Sequence, residues 1–126
     1  MARKRFTEAN WRQNPWFVAL CRAFLACRTQ DQITRFLRDI GTLSELQAWS
    51  ERLEVARELD RGLTYRDITQ NTGASTTTVT RVARFLEDGA GGYPQVLDIL
   101  ETTGHHHRRP DSRGEQAVLM RSRRHR

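Results

Sequence analysis

The sequence predicts an all-α domain built around a helix-turn-helix. Two observations carry that prediction. From residue 14 to residue 100 the apolar side chains recur at spacings of three and four, and no segment shows the period-two alternation of a half-buried strand. Between residues 64 and 87 two capped helical segments flank Gly73, with an apolar residue, Val79, six positions after that glycine. At 126 residues there is room for one domain of ordinary size and not for two. Hydrophobic residues make up 37% of the chain, below the roughly 45–50% of a typical globular domain, so part of the chain is expected to lie outside any core.

The elements follow in order. Residues 1–13 are polar and basic and read as a flexible arm. Asn14-Pro15 then supplies a cap and a first-turn proline. Trp16, Phe17, Leu20, Cys21, Phe24 and Leu25 give the first helix a broad apolar stripe. A second, shorter helix reads from Ile33, Phe36, Leu37 and Ile40 and ends at Gly41. Thr42 and Glu45 have the T-x-x-E spacing of a capping box. The helix that follows places Leu46, Trp49, Leu53, Ala56 and Leu59 inward and Glu51, Glu54, Arg57 and Glu58 largely outward, and Gly62 stops it. Thr64 and Asp67 make another box, with Leu63 and Ile68 at the positions of a hydrophobic staple. Gly73 turns the chain, and Ser75 caps a helix with Val79, Val82, Ala83 and Leu86 inward. After the connector from Asp88 to Gly92, Tyr93, Val96, Leu97 and Leu100 define a last amphipathic helix. The helical domain is thus expected over residues 14–103, the helix-turn-helix over 64–87, and residues 104–126 as a disordered arginine-rich tail.

Charge is distributed in the same pattern. Residues 1–28 hold six bases and one acid, residues 29–104 eight bases and twelve acids, and residues 105–126 seven arginines and two acids, for a net +6. Within the acidic middle, residues 61–86 carry Arg61, Arg66, Arg81 and Arg84 against the lone Asp67, a footprint suited to phosphate. Arginines that merely solvate a surface would give the same count, so the motif has to carry the argument.

The second helix of the motif has the chemistry of a DNA reader. Thr76, Thr77, Thr78 and Thr80 occupy its first turns, after Ser75, where such a helix meets base edges. A threonine hydroxyl donates or accepts, and its methyl can touch thymine. Four threonines also cost helix propensity, which argues against filler. Arg81 and Arg84 suit phosphates, and Arg66 can reach either the backbone or a guanine edge.

Other chemistry is poorly supplied. Cys21 and Cys27 stand six apart, which is neither a disulfide framework nor a CxxC site. The four histidines all lie in the tail, three of them as His105-His106-His107, and no carboxylates are paired suggestively, so no catalytic residues and no metal or other cofactor are expected. No apolar run approaches the roughly 18–20 residues of a membrane span, and a cytoplasmic, reducing home fits.

The order of residues resembles the Trp repressor superfamily, and most closely its Trp-repressor-like YerC/YecD branch. The resemblance rests on Ser44-Glu-Leu-Gln-Ala48, Arg52-Leu-Glu-Val-Ala56, Gly62-Leu-Thr-Tyr-Arg-Asp-Ile68, Thr72-Gly-Ala-Ser-Thr76, Thr80-Arg-Val82 and Gly92-Tyr93, and covers roughly residues 14–101. It implies a six-helix chain, an interlocked homodimer formed through the N-terminal helices, and two helix-turn-helix units presented to successive major grooves of double-stranded DNA. It also implies an effector pocket. The founding member holds tryptophan between two arginines, to which Arg52 and Arg81 correspond, with Thr42 at the pocket edge. The departure is Val82, where the tryptophan-binding protein has a glycine beneath the indole ring.

The expectation is a cytoplasmic, homodimeric, sequence-specific regulator of transcription, a repressor that does not require tryptophan, with its effector unassigned and no membrane partner. The alternatives are a tryptophan-responsive repressor, or a non-specific nucleic-acid or protein-interaction module acting through its arginine-rich tails.

Overall fold

A computed structural model describes residues 5–103. Those residues form six helices and no strand, as expected: α1 (Pro15–Ala26), α2 (Gln30–Ile40), α3 (Leu43–Asp60), α4 (Tyr65–Thr72), α5 (Thr76–Asp88) and α6 (Gly92–Thr103). The arginine-rich tail and its histidine triplet lie outside the described residues, as do residues 1–4 of the basic arm. Among the described residues, no helix is long and apolar enough to cross a membrane. The chain divides into two compact units, Met1–Leu46 and Gln47–Arg126.

In the first unit the local signals are obeyed. Asn14 Oδ1 accepts a hydrogen bond from the Trp16 N–H at 2.9 Å, and Pro15 takes the first helical position of α1. The second helix begins three residues earlier than its apolar pattern, because the Thr29 hydroxyl accepts from the Gln32 N–H at 3.1 Å and caps it there. Gly41 closes α2. Ahead of α1, residues 8–13 wind into turns around the Asn10 side chain, which accepts from the Thr7 N–H at 2.9 Å. Trp11 packs edge-on against Phe17 with ring centroids 5.2 Å apart, and Phe24 meets Phe36 the same way at 5.3 Å. Yet neither α1 nor α2 contains a single buried residue.

The second unit has a core. Val55, Ala56 and Leu59 from α3, Ile68 from α4, Ala74 from the turn, Val79, Val82 and Leu86 from α5 and Leu97 from α6 are all buried together. Leu53, Leu63, Ala83 and Tyr93 pack around them. α5 packs against both α4 and α6.

α3 departs from the inward face expected of it. Trp49 is exposed and Glu58, expected outward, is buried at 7% exposure. The core reaches α3 only over its last two turns, so its buried arc is set by Val55, Ala56 and Leu59 rather than by the apolar residues of its first half. The helix opens on the expected capping box, reciprocal in form: Glu45 N–H donates to the Thr42 hydroxyl at 3.1 Å and Thr42 N–H donates to the Glu45 carboxylate at 3.0 Å. It closes with Gly62 at φ +86°, where Leu63 N–H returns to the Glu58 carbonyl and Gly62 N–H to that of Leu59.

Candidate nucleic-acid interface

The turn between α4 and α5 is built from four consecutive devices. The Thr64 hydroxyl accepts from the Asp67 N–H at 3.1 Å and starts α4. Gly73 ends it at φ +75°, a left-handed conformation that a residue bearing Cβ adopts only with strain. The Thr72 hydroxyl donates to the Ile68 carbonyl at 2.7 Å and accepts from the Ala74 N–H at 3.1 Å, bracing the corner from inside. Ser75 then caps α5 by accepting from the Thr78 N–H at 3.1 Å. Buried Ala74 anchors the turn to the core.

This geometry fixes which side chains α5 presents. Val79, Val82 and Leu86 face inward at 0–6% exposure. With about 100° of rotation per residue, Thr77, Arg81 and Arg84 fall on the opposite side at spacings of four and three, with Thr76 and Thr80 flanking them. All five are exposed. Thr78 is half-buried, and its hydroxyl lies 3.1 Å from that of Ser75, so it serves the cap instead. No acid occupies the first turn of α5, which leaves the positive end of the helix dipole uncompensated beside those threonines. Arg66 is exposed in the first turn of α4. The exposed residues form a strip of hydroxyls and guanidinium groups on a helix held from behind by a packed core.

The residues singled out as an effector pocket are placed differently from one another. Val82 is 2% exposed, in the same core as Val55 and Ala56, whereas Arg81 beside it reaches solvent. Arg52 is exposed. Its charge acts on half-buried Tyr93, whose hydroxyl is pushed up from its ordinary value by burial and drawn partly back by Arg52. Thr42, in the first unit, uses its hydroxyl and its N–H in the capping box.

Two features were not read from the sequence. One is an open apolar groove of about 460 Å3 in the second unit, rimmed by Leu53, Phe85, Tyr93 and Val96. Phe85 is 51% exposed, and its place off the Val79–Val82–Leu86 stripe is the signal in the sequence that could have found the groove. The other is the buried Glu58, whose carboxylate accepts from the Asn71 side-chain amide at 2.8 Å. Among the described residues no group of histidine, cysteine, aspartate or glutamate side chains is arranged to hold a metal ion.

Comparison with known proteins agrees with this architecture. A family model described as Trp repressor protein matches residues 16–101. The uncharacterized protein YerC of Bacillus subtilis is 40% identical over 84 residues, which cover 67% of this chain and 81% of YerC. The crystal structure of a TrpR-like protein from Eubacterium eligens superposes with a TM-score of 0.68 at 38% identity, covering 70% of this chain and 91% of that one. A Staphylococcus aureus protein solved as a candidate Trp repressor gives a TM-score of 0.70 at 33% identity, over 75% of this chain and 95% of its own. With the family model matched over residues 16–101 and YerC 40% identical across most of its length, the chain belongs to the Trp repressor family of DNA-binding regulators.

Proposed function

We propose that this protein is a cytoplasmic, homodimeric transcriptional repressor that recognises a specific double-stranded DNA sequence by laying α5 in the major groove. The observation that carries the reading is the exposed strip of Thr76, Thr77, Thr80, Arg81 and Arg84, on a helix whose other face is locked into the core. Hydroxyls and methyls at the start of a reading helix suit base edges, and the arginines that follow suit phosphates. Ser75 and Arg66 complete the contact surface from the turn and from α4. The dimer is supported by the first unit: Trp16 is 66% and Leu25 83% exposed in a single chain, a surface that a second copy would cover.

Tryptophan is not the corepressor in this reading. Valine at position 82 adds three carbon atoms where the founding member leaves room for an indole, and its side chain is β-branched and already buried. Arg52 and Arg81 are then available to phosphates or to neighbouring carboxylates.

Selection of the purified full chain against a random duplex pool tests the proposal. A recurrent sequence motif, bound equally with and without tryptophan, is the expected result. If removal of residues 104–126 abolished binding and no motif emerged, the tails rather than α5 would be the binding element. Calorimetry showing saturable tryptophan binding coupled to tighter DNA binding would overturn the corepressor-independent part.

A further inference from the structure

We propose that Glu58 is the positioning residue that sets the angle of the helix-turn-helix, by tying the far end of α4 to α3 through Asn71. The inference rests on the DNA-reading role of α5 proposed above, and it names a determinant of selectivity that touches no DNA.

Glu58 is 7% exposed, buried like Asp60 at the end of α3 beside the aliphatic side chains of the core. Its carboxylate accepts one hydrogen bond, from Asn71 Nδ2 at 2.8 Å, across 13 residues of sequence. Its other oxygen, Oε2, is buried with no hydrogen-bond partner. A buried carboxyl with one of its two oxygens unpartnered is a cost, and an aliphatic side chain of similar volume would remove that cost. What the carboxylate supplies, and an aliphatic side chain could not, is a directional link. Asn71 stands in the last turn of α4, two residues before Gly73, so the link holds the end of the helix from which the turn departs. The Glu58 carbonyl also accepts from the Leu63 N–H at 3.2 Å, in the turn that closes α3 just ahead of the Thr64 cap. Ile68 in the middle of α4 adds apolar contact, which is not directional. α5 follows α4 after a three-residue turn, so a small rotation of α4 is carried to Thr77 and Arg81.

The test compares Glu58→Leu, Glu58→Gln, Asn71→Asp and the double variant Glu58→Gln/Asn71→Asp. The readouts are the ratio of affinities for selected and random duplexes, and amide hydrogen exchange in α4. Glu58→Leu keeps the apolar volume and loses the link, so selectivity should fall about ten-fold and α4 amides should exchange faster, with the amides of α3 unchanged. Glu58→Gln retains an acceptor for Asn71 and should keep most of the selectivity. Asn71→Asp sets two carboxyls against each other and should lose selectivity as Glu58→Leu does. In the double variant donor and acceptor are exchanged, because the introduced amide donates to the introduced carboxyl, and both readouts should recover. A double variant no better than Asn71→Asp, or unaltered exchange in α4 of Glu58→Leu, overturns the proposal. Should Glu58→Leu fail to fold, the Asn71→Asp and double-variant pair still decides. Exchange in α4 needs no DNA, so failure of the DNA-reading role itself would appear separately, as a wild-type chain without duplex preference.

Discussion

The two units of this chain use apolar residues in opposite ways. α1 is a sequence of almost uninterrupted apolar character, PWFVALCRAFLA, and buries none of it; α5 has few apolar residues among threonines and arginines, and buries three of them. The first unit has aromatic pairs and caps but no interior, whereas the second closes a core around α5 with residues from every one of its helices. Hydrophobicity and burial are therefore different quantities here. In the second unit the apolar residues stabilise the chain's own fold and leave the other face of α5 exposed. In the first they form a surface that a single chain leaves open to water, as a subunit of an assembly would.

That contrast is broken or sharpened first by core substitutions. Ile68→Ala, at a position with no exposure, should cost about 2–5 kcal/mol, because the cavity under α4 cannot collapse against braced neighbours. Denaturant unfolding followed by circular dichroism measures it, and a loss below about 1 kcal/mol would mean that the second unit is far looser than its burial indicates.

The matching change in the first unit is Leu25→Asp. In a lone chain, a residue 83% exposed should tolerate the change within about 0.5 kcal/mol. If the first unit is the dimer contact, the same substitution should convert a particle of twice 14.7 kDa into one of that mass in light scattering. It should also abolish the rise of the wild-type melting temperature with protein concentration. A wild type that melts independently of concentration, at one chain's mass, would leave the open surface of α1 without its proposed role.

Within the second unit, the exposed face of α5 predicts two kinds of DNA defect. Thr77→Ala or Thr80→Ala should each cost roughly 1–3 kcal/mol on the selected site and little on random duplex. Arg84→Ala should weaken both alike and reduce the salt dependence by about one counterion. Competition binding over a salt series separates them; equal losses on both duplexes for all three variants would remove the division between base and phosphate contacts.

How much of this was legible beforehand follows from the range of the interactions. Caps and turns are local, so Asn14, Gly41, the Thr42–Glu45 box, Thr64, Gly73 and Ser75 were read where the structure has them. Period alone also found the inward face of α5, since its core neighbours lie on both sides along its length. It failed on α3, where Trp49 and Glu58 exchange the expected positions. A periodicity marks an apolar stripe but does not reveal how far along a helix the packing partners extend. Nor does it show that an asparagine 13 residues away will receive a buried carboxylate. Thr29 was missed because the cap precedes the first apolar residue of α2 by four positions, with Gln30, Asp31 and Gln32 between.

The smallest expected effect concerns the capping box at the last residues of the first unit. Glu45 is fully exposed, and its carboxyl is held below the ordinary value of 4.5 by hydrogen bonds from Thr42, the backbone N–H first and the hydroxyl second. A carboxyl depressed in the folded state binds its proton more readily when unfolded, so its contribution is complete above the unfolded value and is lost as pH falls through the folded one. Stability of the wild type, measured between about pH 6 and pH 3, should therefore drop slightly faster with acid than that of Glu45→Gln, and the two should run parallel above that range. Subtracting the variant removes the titration of every other carboxyl. The difference also reports on the two units. If the first turn of α3 unfolds together with the core, the acid slope appears in the global transition. If that turn frays by itself, the slope is missing there and emerges in hydrogen exchange of residues 46–48, whose N–H groups complete the first turns of the helix. The first outcome would mean that order in the first unit is coupled to the core of the second, even though no residue of α1 or α2 is buried.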